Sequence, residues 1–359
     1  MKRVNNNLCY LTGYQAVTIA KHRIKLAPFP GGAPMSRKTA VLLTNLGTPA
    51  ALDRSAVKQF LKEFLSDPLV VEIPRLPWWL LLNGLILPFR SAKTLRGYER
   101  IWTDEGSPLM VYAQRQAMAL QRILGDDIPV AMAMRYGEPS FKSVIGELMS
   151  GGTDRLIVLP LYPQNSATTT ATTFQYLAQT LSGYRNQPSI SFIDSYYQHP
   201  AYIEALAESV RDHWNKTGSR NHLVMSFHGL PQINVDRGDP YYKQCLVTVK
   251  LLAEKLELEK TDWSLCFQSR FGKQVWLKPY TRETLSELIA NGIKSVDIIC
   301  PGFSADCLET LDEIQIEYRD FFMQAGGEQF HYISALNEHP DHINMMYALL
   351  SPYLSIADQ

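Results

Sequence analysis

Short apolar runs, largely free of internal polar residues, punctuate the whole chain, and each closes on a turn residue or a charge. Ala40–Thr44, Val130–Met134, Leu156–Leu159 and Ile190–Ile193 fall in the first half; Leu223–Phe227, Trp263–Phe267, Val296–Cys300 and Phe330–Ile333 fall in the second. A strand buried on both faces needs continuous apolar sequence rather than alternation, so these runs predict parallel sheets covered by helices. The segments between them have helical spacing. Ser55–Leu65 sets Val57, Phe60, Leu61 and Phe64 on one face, and Ala201–Trp214 and Val247–Leu258 are patterned similarly. The expected fold class is α/β: two doubly wound lobes, each with a four-stranded, mainly parallel sheet, and a cleft between them. The lobes are placed at residues 38–200 and 201–340, with a C-terminal helix and tail over 341–359.

Two stretches depart from this rhythm. Residues 1–37 begin with Lys2 and Arg3 but never build an uninterrupted apolar core, which argues against a secretory signal. Pro28-Phe-Pro-Gly-Gly-Ala-Pro34 reads as a turn-rich linker, so 1–37 is expected to be a flexible extension. The longest apolar stretch, Leu76–Phe89, is too short to span a bilayer and is broken by Pro77, Asn83, Gly84 and Pro88. It fits either a buried core helix or an exposed apolar lip, over 75–96, that grips a flat ligand or touches a membrane surface. Arg75, Arg90, Lys93 and Arg96 flank it, as either surface use requires.

Composition narrows the classes. Thirty-five Lys and Arg balance 35 Asp and Glu, and without a basic run there is no electrostatic case for nucleic acid. The five cysteines form no CxxC pair, so a disulfide framework and an iron–sulfur site are both disfavoured; buried thiols in a reducing compartment fit better. Neither GxGxxG nor a Walker sequence occurs, so no nucleotide cofactor is indicated.

Doubly wound sheets bind ligands outside the carboxyl ends of their strands. There the sequence offers His228, at the junction of an apolar strand and a Gly-Leu-Pro turn, and the acidic segment that begins at Asp306. Asp306, Glu309, Glu313 and Glu317, spaced three or four apart, would share one face of an α-helix. Uncompensated like charges at that spacing cost roughly 0.2–0.5 kcal/mol per pair. A histidine facing a row of carboxylates can bind a metal, relay protons, or do both. Structural zinc spacing and a GxSxG elbow are absent, so the residues alone indicate a metal or proton-transfer enzyme.

Asn45-Leu-Gly-Thr-Pro49, Pro160-Leu-Tyr-Pro-Gln164, Ser226-Phe-His-Gly-Leu-Pro231, Gln268-Ser-Arg-Phe-Gly272, Trp276-Leu-Lys-Pro279 and Asp306-Cys-Leu-Glu-Thr310 resemble, in order, the landmarks of the ferrochelatases, over about Lys38 to Leu350. The resemblance implies a class II chelatase-like fold, a cytoplasmic enzyme and haem synthesis, in which ferrous iron enters protoporphyrin IX and two protons leave. It implies His228 and Glu309 as the catalytic and metal-contacting pair, with Asp306, Glu313 and Glu317 as a proton or metal path. Arg135, Tyr136, Tyr162 and Leu46 would line the pocket, Trp276 and Phe303 would wall it, and Trp78-Trp79 would form the lip. Arg90 and Ser107 would hold propionates. Iron is then substrate, and no cofactor is bound permanently. Some members carry a histidine where this chain has Cys307, and several hold a two-iron cluster on C-terminal cysteines that this chain lacks, so no cluster is expected. The competing readings are a chelatase for coproporphyrin or sirohydrochlorin and a two-lobed binding protein without catalysis. Oligomeric state is not legible.

Overall fold

The computed structural model describes residues 37–354. The first sheet holds β1 (Thr39–Gly47), β2 (Val130–Tyr136), β3 (Arg155–Pro160) and β4 (Ser189–Phe192). The second holds β5 (His222–His228), β6 (Trp263–Gln268), β7 (Ser295–Ile299) and β8 (Gln329–Ile333). Strand order is β2-β1-β3-β4 in one and β6-β5-β7-β8 in the other, and every pairing is parallel. The same winding therefore occurs twice, and the sheets are wholly rather than mainly parallel. The expected extension over 1–37 lies outside the described residues except for Arg37, as do residues 355–359 of the tail.

The interior strands β1, β3, β5 and β7 are buried along most of their length, while β2, β4, β6 and β8 form the sheet edges and β4 is largely exposed. β1 is buried along nearly its whole length. Burial of each large aliphatic side chain contributes ~1.5–3 kcal/mol. Asp53 caps the helix Arg54–Leu65, accepting from the backbone N–H groups of Ser55 and Ala56 at 2.8 and 2.9 Å. Val57, Phe60, Leu61 and Leu65 form its buried face, with Phe64 at the margin.

The lobes are not separate bodies. One apolar cluster takes Val41, Leu43, Ile157 and Leu159 from the first sheet and Leu223, Met225, Phe227 and Ile299 from the second. The C-terminal helix Pro340–Leu354 packs on Pro200–Thr217 and also on Pro108–Leu124 of the first lobe. Among the described residues no helix is long and apolar enough to cross a membrane.

The lip region is a helix (Arg75–Leu81), one π-helical turn (Leu82–Ile86) and a second helix (Leu87–Ile101). The π turn absorbs Asn83 and Gly84 and runs directly into the second helix, so the proline at 88, which has no N–H to donate, falls where the helical bonding pattern changes. Trp78 is an anchor rather than lip: it is buried and donates its indole N–H to the Leu65 carbonyl at 2.6 Å. Trp79, Leu80 and Leu85 are more than half exposed, and Leu76 and Phe89 are each 72% exposed.

Candidate active site

In each sheet the order reverses beside the central strand: β1 lies between β2 and β3, and β5 between β6 and β7. Ligand crevices open at such switch points, at the carboxyl ends. His228 is the last residue of β5. Its Nδ1 lies 2.7 Å from the carbonyl oxygen of Gly229. A carbonyl can only accept, so Nδ1 carries the proton and Nε2 of the neutral ring presents a lone pair. Gly229 is required there: a Cβ would stand 2.7 Å from the Gln268 carbonyl and 3.1 Å from the Trp276 ring, which lies against this turn. Trp276 is half-buried, and its indole N–H is buried with no protein partner, as for a polar group kept for a ligand.

The acidic segment differs from the α-helix expected for it. Leu308–Tyr318 is a π-helix, capped by Cys307 and Thr310, whose wider turn carries Glu309, Glu313 and Glu317. Asp306 is off this helix, in the loop before it. Its buried carboxylate accepts from Tyr332 Oη at 2.6 Å, Asn337 Nδ2 at 2.7 Å and Thr310 Oγ1 at 3.0 Å, so it fastens the loop instead of continuing the stripe. Burial pushes its carboxyl above the usual range, against those donors. Glu317 pairs with Arg100 at 2.9 Å near the surface. Glu313 remains, within electrostatic reach of both His228 and Glu309.

Gln268 joins these three. It is the ladder partner of His228, and its Nε2 donates to the Glu309 main-chain oxygen at 2.8 Å and to Glu313 Oε2 at 3.4 Å. Its own oxygen accepts from Ser226 Oγ at 2.9 Å. Ser269 follows with φ of +63°, a strained conformation for serine, which lets its N–H and hydroxyl both donate to Glu313, at 2.7 and 2.5 Å. Burial raises the Glu313 carboxyl above its normal value; Ser269 and His228 pull it down, and Glu309 pushes it up again. Burial pushes the Cys307 thiol well up, and Glu309 adds to this, so the thiol beside the acidic helix is uncharged.

In the first lobe, at the end of β2, a polar network is built on Asp67, which the sequence reading missed. Its Oδ2 accepts from Arg135, from Tyr136 Oη at 2.9 Å and from Thr172 Oγ1 at 2.5 Å. Arg135 lies between the rings of Tyr136 and Tyr176, 4.4 and 4.3 Å from their centres, and also donates to Thr172. Arg135 and Tyr136 are thus brought together at the end of β2, in a buried ion-pair network. Tyr162, just past β3, is buried, which raises its hydroxyl pKa. Leu46, at the end of β1, packs with the lip cluster.

The lip closes on the second lobe near Glu309. Arg90 stacks 4.4 Å over Phe271; desolvation lowers its pKa, and Glu309 counters this. Ser107 is buried with its Oγ 2.6 Å from Thr48 Oγ1, which in turn reaches Tyr98 Oη at 3.4 Å. Burial and then Glu309 raise the Tyr98 hydroxyl pKa, so this polar string runs toward the same carboxylate. Phe303 is half-buried between the second-sheet core and a small cluster at Leu109 and Cys307. His228, Trp276, Phe303, Glu309 and Glu313 all keep partial solvent access, so the carboxyl edge is not closed over. Two surface hollows, one at Ser143 and Tyr184 and one at Gln198 and Lys255, share no residue with this site.

The ferrochelatase family model matches residues 38–353. A ferrochelatase of Aromatoleum aromaticum is 52% identical over 310 residues, 85% of each chain, and one of Aeromonas hydrophila is 52% identical over 319 residues, 88% of this chain and 98% of that one. Among solved structures, SirB from Bacillus subtilis with Fe3+ superposes with a TM-score of 0.53 at 15% identity, over 88% of this chain and 94% of that one, a likeness of fold.

Proposed function

The chain belongs to the ferrochelatase family, and from that premise we propose that it inserts ferrous iron into protoporphyrin IX with His228 as the base that draws off the pyrrole protons. The observation that carries this role is the 2.7 Å contact of Nδ1 with Gly229, which commits Nε2 to accept a proton or bind a metal. Glu313, held by Ser269 and Gln268 and raised by burial, is the next proton acceptor, and Glu309 would meet the iron with His228. A free-base porphyrin presents two N–H groups in a hole too small for easy metal entry. Bending the ring exposes nitrogen lone pairs at a strain of about 1–5 kcal/mol, supplied by contacts along its faces. Trp276, Phe303 and the exposed lip are the surfaces that supply them. A positioned base then contributes ~10²–10⁴-fold. Ferrous iron accepts both imidazole and carboxylate, so His228 and Glu309 also serve as its transient ligands.

Arg90 and Ser107 are proposed to steady the propionates, and Arg135, Tyr136 and Tyr162 to line the far wall. Lys93 and Arg96 beside the lip are exposed, whereas two neighbouring cations are already engaged within the protein. Arg75 spends its guanidinium on the Ser66, Val71 and Ile73 carbonyls, and Arg54 donates to Pro88 O at 2.7 Å. Coproporphyrin or sirohydrochlorin insertion is the second reading. The four described thiols are buried and pushed up in pKa, which supports a cytoplasmic enzyme without a resident iron–sulfur cluster. The lip is the part suited to meet a membrane surface.

The test is metal insertion followed by porphyrin absorbance in the parent and in a His228→Ala, Glu309→Gln double variant. Insertion should fall at least ~10²-fold while protoporphyrin still binds. Undiminished insertion would sink the assignment, and faster turnover of coproporphyrin than of protoporphyrin would move it to the second reading.

A further inference from the structure

The second sheet carries another group of chemically able side chains at its amino end. Asp297 of β7 is ladder partner to Leu223, near the start of β5, so it lies about five residues, or roughly 16 Å, along the sheet from His228. Its carboxylate is fully buried, and the protein already satisfies it. Oδ2 accepts from the Trp214 indole N–H at 2.9 Å and the Asn221 backbone N–H at 3.2 Å, and Oδ1 accepts from the Asn221 side-chain amide at 3.0 Å. Two imidazole nitrogens nevertheless crowd the same Oδ1: His331 Nδ1, from β8, at 3.0 Å and His213 Nε2, from the helix Pro200–Thr217, at 3.3 Å. The Asn221 amide also stands 3.4 Å from His331 Nδ1. With the carboxylate only able to accept, each ring nitrogen points its hydrogen at Asp297 Oδ1, the place a metal ion would take on binding.

We propose that Asp297 Oδ1, His213 Nε2 and His331 Nδ1 form a binding site for a divalent transition-metal ion of the zinc type, separate from the site of iron insertion. All three atoms lie within 4.8 Å of one another. A tetrahedral ion with bonds of about 2.1 Å spaces its ligand atoms about 3.4 Å apart, close to the 3.0 and 3.3 Å found. Two imidazoles and one carboxylate suit zinc, cobalt or nickel far better than calcium or magnesium. Trp214 and Asn221 supply the outer hydrogen bonds that fix the carboxylate. The His331 side chain is 34% exposed and that of His213 17%, so solvent reaches one side and can complete the coordination. A bound ion would tie Pro200–Thr217, β7 and β8 together, favouring the folded state by mass action.

The experiment is titration of chelator-stripped full-length chain with Zn2+, with calorimetric stoichiometry and melting temperature as readouts. The centre at His228 also takes metal, so the comparison is between the parent, His213→Gln and His331→Gln. The parent should bind one equivalent more than either variant. Zn2+ should raise the melting temperature of the parent and of His228→Ala but not of His331→Gln, whose iron insertion should stay within twofold of the parent. Equal stoichiometry and equal melting shifts across the parent and both variants overturn the proposal. Should the variants fail to fold, zinc-edge anomalous scattering from crystals of the unaltered chain decides. A peak ~2.0–2.2 Å from the three atoms supports the site, and its absence overturns it.

Discussion

Removing the Asp67 carboxylate while leaving Arg135 in place should be among the more damaging single changes near the active site. Asp67→Ala strands a guanidinium whose side chain is only 13% exposed, and takes the acceptor from Tyr136 and Thr172. Breaking a buried ion pair from one side costs ~3–5 kcal/mol, because the remaining charge has lost its partner. The 318 described residues, at ~2.1 cal/mol/K each, give a melting entropy of ~0.7 kcal/mol/K, so the melting temperature should fall by roughly 4–7 °C. Adding Arg135→Leu removes the stranded charge, and the double variant should regain at least half of that loss. Thermal melts of the parent, both single variants and the double variant test this. An Asp67→Ala melt within 1 °C of the parent, or a double variant that melts lower than Asp67→Ala, refutes the reasoning. Insertion assays on the same proteins then separate two roles. A double variant stable but inactive makes Arg135 a porphyrin contact; one stable and active makes it architectural.

Gly97 of the lip helix lies against the acidic helix, where a Cβ would meet Asp312 Oδ2 at 2.5 Å and Leu308 Cδ1 at 3.0 Å. Gly97→Ala should therefore loosen the Arg100–Asp312 pair, cost ~1–3 kcal/mol and slow insertion; unchanged melting and rate would refute it. His342, in the C-terminal helix, is fully buried with Nδ1 2.6 Å from the Asn337 carbonyl, and burial lowers its pKa to about 4. Its neutral form contributes stability that is complete above pH 6.5 and lost as pH falls toward 4, up to ~3 kcal/mol. Melts from pH 7 to pH 4 should show a shallower decline in His342→Gln than in the parent, and parallel declines would refute this.

All eight strand runs lie where the apolar pattern puts them; the signal is cleanest for the interior strands β1, β3, β5 and β7, which are covered on both faces and have no polar option to blur it, and weakest for the exposed edge strand β4. The acidic helix was less legible. Carboxylates four apart satisfy an α-helix, and nothing in side-chain spacing reports whether the backbone bonds to the fourth or the fifth residue. Asp306 fits the same spacing yet belongs to a loop whose partners, Tyr332 and Asn337, are distant in sequence. Composition left the lip undecided because one helix does both jobs, with Trp78 inward and Trp79 outward. His228 was visible as a strand-end imidazole, and Gln268 occupied an equally visible strand end. Its role depends on lying across the ladder from His228, which only the register reveals. Asp67 offered only an Asp-Pro turn.

The apolar cluster shared by both sheets restricts how a rigid macrocycle as broad as haem can leave. Domains that swing apart like a clamshell need a seam of polar contacts, whereas here opening the halves would tear a continuous oily interior. With the macrocycle where it is proposed to sit, egress would instead be local, by flexing the solvent-facing side chains of Trp79, Phe89 and Phe271. Stiffening these side chains, rather than altering the chemistry beneath them, is the change that would trap product and lower turnover.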